Sequence, residues 1–75
     1  MTAKIQSQPI NLLDENFEPE TMHPADIEQI LIASFEEYQN IGKFDRIRKQ
    51  YREAYNRLVD CLTDKRGFQQ FSYLT

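Results

Sequence analysis

Cys61 and His23 are the only cysteine and the only histidine of the 75 residues, and they are the pair from which a nucleophilic site would have to be built. A thiol attacks as the thiolate, which needs a neighbouring base or positive charge. An antiparallel pairing of helices, with facing residue numbers totalling about 85, would bring the two near each other. No loop of oxyanion donors and no orienting group accompanies them, so catalysis is not expected. On a heptad position, Cys61 is read as a small core hydrophobe. Structural zinc usually takes four cysteine or histidine ligands, and this chain has two such residues. The acid pairs Asp14, Glu15 and Glu36, Glu37 lack the spacing of a calcium loop. Gly42 and Gly67, the only glycines, cannot make a phosphate-cradling loop. The expectation is a non-enzymatic protein with no cofactor and no metal.

The elements that must position any remaining function are helical. Pro24 suits a first helical position, where its missing N–H costs nothing, and Asp26 and Glu28 follow in the turn where the helix dipole favours acids. Ile27, Ile30, Leu31, Ser34, Tyr38 and Ile41 make one stripe, with Phe35 on its margin, and Gly42 offers a left-handed stop. Phe44, Ile47, Tyr51, Ala54, Leu58 and Cys61 alternate by three and four through a second helix, with Tyr55 and Leu62 widening the stripe. Lys65, Arg66 and Gly67 mark its end, with Phe68 placed to fold back on Leu62. The fold class is all-α: an antiparallel hairpin of about residues 24–41 and 43–66, flanked by a polar, acidic arm (1–22) and an aromatic tail. Helix and tail form one domain, 23–75. In the arm, Ile10, Leu13 and Phe17 have helical spacing.

Charge is unevenly distributed along the chain. Residues 1–40 carry one base against eight acids, a net of −7, and residues 41–75 carry eight bases against four acids, a net of +4. Glu36 and Glu37 at the end of the first helix, and Arg46, Arg48 and Lys49 at the start of the second, each oppose their own helix dipole. A hairpin would pair them at its closed end, and Arg57 with Glu28 further along. Bases still outnumber acids there, and Arg46, Lys49 and Arg52 recur every three residues on the face away from the seam.

These observations point to a small regulatory or adaptor protein that binds another protein. The expected contacts are Arg46, Lys49, Arg52 and Tyr55, with Phe71 and Tyr73 of the tail as a second contact. The alternative is an RNA or single-stranded DNA module on the same strip, since Tyr51 and Tyr55 interleave with the bases. A helix-turn-helix DNA reader fits poorly, because its first helix would bring Asp26, Glu28, Glu36 and Glu37 toward phosphates. Membrane binding is not expected: the longest mainly apolar run is Ile30 to Phe35, and Asp45, Glu53 and Asp60 interrupt the basic strip. The polar start has no signal-peptide pattern and one cysteine makes no internal disulfide, which suggests a cytoplasmic protein. Two helices have one seam, so surplus apolar residues such as Val59 and Phe71 call for another layer. The chain's own ends, a second copy forming a homodimeric bundle, or a different protein would each supply it.

Overall fold

A computed structural model describes residues 12–75. It has a single 3-10 turn, Pro19–Thr21, followed by helix α1, Pro24–Asn40, and helix α2, Arg46–Arg66. No strand occurs among the described residues, and the two helices pack together as a hairpin. Ile10 of the arm stripe lies outside the described residues.

Helix α1 starts where Pro24 predicts, with an additional device. Nδ1 of His23 accepts the Ala25 N–H at 3.1 Å, so the imidazole caps the helix. Its end differs from expectation. Ile41 is extended (φ −81°), its N–H donates to the Tyr38 carbonyl at 3.1 Å, and Gly67 is the only described residue with positive φ. Gly42 instead opens a turn in which its carbonyl accepts the Asp45 N–H at 3.0 Å. Oδ1 of Asp45 then accepts the Ile47 N–H at 3.0 Å, so α2 begins at Arg46 rather than 43. A carboxylate that satisfies a free N–H at the helix start outweighs the apolar pattern running back to Phe44. Phe44 is left off the helix, 99% exposed. At the far end, Gly67 is left-handed (φ 83°) and its N–H donates to the Thr63 carbonyl at 2.7 Å, as its type predicts. Phe68 does not return to Leu62 and stays exposed.

Ile27, Leu31, Ser34 and Tyr38 of α1 are buried against Tyr51, Tyr55, Leu58, Val59 and Leu62 of α2. The expected register is met where Ser34 lies in polar contact with the Tyr51 hydroxyl. Toward the closed end it fails: Tyr38 stacks on Tyr51, ring centroids 6.3 Å apart, and Ile47 stays 39% exposed. The α2 core line sits one step round the helix from the predicted seam. Ala54 and Cys61 are only partly buried, whereas Tyr55, Val59 and Leu62 are almost fully so.

The chain's own ends account for that shift. Leu12, Phe17 and Met22 pack onto the core from one side of the sequence, and Phe71 and Leu74 from the other. Leu12, rather than Leu13, is buried, at 5% exposure. Helical spacing misassigned it because this stretch turns instead: Asp14 accepts the Asn16 N–H on its side chain (2.9 Å) and the Phe17 N–H on its carbonyl (3.0 Å).

Candidate functional site

The closed end of the hairpin presents Lys43, Phe44, Arg46 and Lys49, all exposed. They sit there because the Gly42–Asp45 turn and the Asp45 cap leave Phe44 off the helix, while Arg46 and Lys49 in the first turn of α2 stay in solvent. Arg52 continues the strip but is half-buried. Tyr55 does not belong to it. At 2% exposure its ring is part of the core, and burial pushes its hydroxyl pKa up. Tyr55 is therefore a core residue and not the surface contact expected of it: the layer added by the chain ends encloses the margin of the stripe on which it lies.

Arg48 also leaves the basic strip. Its Nη1 donates to the carbonyls of Ile41 (2.7 Å) and Tyr38 (3.4 Å), and its guanidinium lies 4.1 Å from the centre of the Tyr38 ring. One side chain from α2 thus satisfies the carbonyl end of α1, where a cation suits the dipole.

The remaining charges do not pair as the register suggested. Among the described residues, ion pairs join Arg57 to Glu20 (2.8 Å) and Arg66 to Glu28 (2.9 Å). Glu28 is shifted to Arg66 because the Pro19–Thr21 turn lies against α2 and delivers Glu20 to Arg57. Lys65 donates to the Glu20 carbonyl at 2.8 Å. The hydrogen bond from Arg57 is the main reason that the Glu20 carboxyl lies below its ordinary value. Both partners are largely exposed, so the pair adds little stability. Glu36 and Glu37 make no ion pair with Arg46, Lys49 or any other described base.

A second feature lies between α1 and the tail. An open groove of about 470 Å³ is lined mainly by Leu31, Ile32, Phe35, Phe71, Tyr73 and Leu74, together with Glu36. Asn56 holds the tail in place: its Oδ1 accepts the Leu74 N–H at 2.7 Å and its Nδ2 donates to the Leu74 carbonyl at 3.1 Å. The Tyr73 hydroxyl donates to Asp60, and Gln70 bridges Arg66 and Glu28. Phe71 is half-buried against the core and Tyr73 is 47% exposed. Asn56 had no distinguishing signal in the sequence, since its partners are backbone groups 18 residues away.

The Tyr73 bond makes a pH prediction. The hydrogen bond to Asp60, followed by burial and by the charges of Asp60 and Asp64, raises the Tyr73 pKa above 10.0. A raised pKa means that the contact's contribution is fully present below pH 10 and is lost as pH climbs through the folded value. Asp60→Asn is expected to bring the Tyr73 titration, followed by NMR of its ring carbons, back toward 10.0. An unchanged midpoint would contradict this latch.

His23 and Cys61 are each committed to structural tasks. The imidazole is used in the helix cap, and the half-buried thiol is pushed above its ordinary pKa chiefly by burial, with nearby Lys65 pulling the other way. That shift is opposite to what thiolate chemistry needs. Among the described residues no three His, Cys, Asp or Glu side chains gather as metal ligands, and no helix is long and apolar enough to cross a membrane. No protein-family model, curated protein or solved structure matches the chain.

Proposed function

We propose that this chain is a small non-enzymatic regulatory or adaptor protein that binds another protein through the closed end of its hairpin. The observation that carries the reading is Phe44, 99% exposed and flanked by Lys43, Arg46 and Lys49, none of them in an ion pair. A large apolar ring held clear of its own core has the character of an interface anchor, and the surrounding cations suit an acidic partner surface. Phe71 and Tyr73 offer a second contact beside the groove. The half-buried thiol Cys61, outside any disulfide, supports a cytoplasmic setting.

The nucleic-acid reading draws less support. Tyr51 and Tyr55, the aromatics that were to interleave with the bases, are 8% and 2% exposed, so their rings cannot stack on nucleobases. Affinity capture from native lysate with and without nuclease separates the two. A nuclease-resistant protein partner is expected, weakened roughly tenfold or more by Phe44→Ala and also reduced by Arg46→Glu with Lys49→Glu. Retention that vanishes with nuclease, or falls steeply with salt while ignoring Phe44→Ala, would replace this reading with RNA or single-stranded DNA binding.

A further inference from the structure

We propose that the closed end docks on a second copy of this chain, Phe44 of each copy entering the groove between α1 and the C-terminal tail of the other. The inference rests on the reading of the closed end as a docking surface and names its partner.

Three observations converge on this occupant. Phe44 is a ring with no place in its own core, at 99% exposure. The groove is open, about 470 Å³, and three of its walls are the aromatic side chains of Phe35, Phe71 and Tyr73. Aromatic rings favour offset or edge-to-face contact with one another, so the groove is chemically suited to a phenylalanine.

Charge supplies the third observation. Helix α1 carries Asp26, Glu28, Glu36 and Glu37 and no base, whereas residues 43–52 carry Lys43, Arg46, Arg48, Lys49 and Arg52 against Asp45 alone. Glu36 is exposed and lines the groove, and Lys43 and Arg46 lie beside Phe44 in the sequence. Within one chain Glu36 forms no ion pair with these bases. Glu28 is taken by Arg66 and Arg48 by the α1 carbonyls, but Glu36, Glu37, Lys43, Arg46 and Lys49 make no ion pair among the described residues and are available between two molecules. A two-fold axis would let each copy supply one ring and one groove, a closed arrangement that does not propagate into filaments.

The test is sedimentation equilibrium of the full chain across micromolar to millimolar concentrations, with circular dichroism to confirm folding. All the substituted side chains are exposed. A reversible dimer is expected, its dissociation constant raised about tenfold or more by Phe44→Ala and also by Glu36→Lys. The triple change Glu36→Lys, Lys43→Glu, Arg46→Glu is expected to restore association by reversing both sides of the contact. A monomer over the whole range, or a dimer indifferent to Phe44→Ala, overturns the inference. If that monomer still captures a different protein in a Phe44-dependent way, the adaptor reading stands without it. A Phe44-dependent dimer that captures no other protein supports the self-association and removes the adaptor reading.

Discussion

Leu58→Ala is expected to remove a large share of the stability of the fold. Leu58 is 1% exposed within the core shared by α1 and α2. Truncating a buried leucine to alanine loses the transfer free energy of the removed carbons and leaves a cavity, together about 2–5 kcal/mol. A chain of this length has a total stability of roughly 4–11 kcal/mol, so the loss is a large part of the whole. Urea unfolding followed by circular dichroism measures it, and a change under about 1 kcal/mol would mean that the core closes over the missing side chain. Tyr55→Ala belongs to the same class. Any binding lost with that variant would report unfolding, which makes Phe44 the informative position for interaction studies.

The second large effect is expected at Arg48, a position that composition alone would count as surface charge. Arg48→Ala removes a charged donor from two carbonyls, and hydrogen bonds to charged groups contribute about 1.5–3 kcal/mol. It also removes the guanidinium from the Tyr38 ring, a contact of ~0.5–1 kcal/mol at partly exposed sites. Tyr38 takes part through its ring face, since its buried hydroxyl has no partner of its own. Arg48→Lys is expected to recover only part of the loss, because an ammonium lacks the planar fork that can stack and donate together. The same urea titrations decide it. Equal stability of Arg48→Ala and the parent would show that water satisfies those carbonyls equally well.

The sequence made legible those features whose causes are local. The start of α1 at Pro24, the stop at Gly67 and the long amphipathic run of α2 all depend on residues within a turn or two, and the all-α hairpin follows from them. What it concealed depends on contacts between distant residues. The heptad reading placed the α2 seam at Ile47, Tyr51, Ala54, Leu58 and Cys61, of which Tyr51 and Leu58 are buried. Once Leu12, Phe17, Phe71 and Leu74 add a layer, the buried side of α2 has to face two neighbours, and its centre moves toward Tyr55, Val59 and Leu62. That rotation turned one expected contact residue, Tyr55, into core. Arg46 and Lys49 were recognisable as exposed because they lie opposite either version of the seam. Arg48, between them, was indistinguishable by type, and its role depends on carbonyls seven and ten residues earlier. The pairing of Glu28 with Arg66 was hidden for a related reason, since the Pro19–Thr21 turn brings a competing acid to Arg57.

Helix α2 touches every other part that has been described: α1 along one side, the Pro19–Thr21 turn through Arg57 and Lys65, and the tail through Asn56 and Asp60. Leu12 belongs to the core cluster, and Phe17, Met22, Phe71 and Leu74 pack against it, so loss of either end uncovers part of the core that joins α1 and α2. The molecule should therefore come apart as one cooperative unit, and whatever engages it meets the whole structure or none of it.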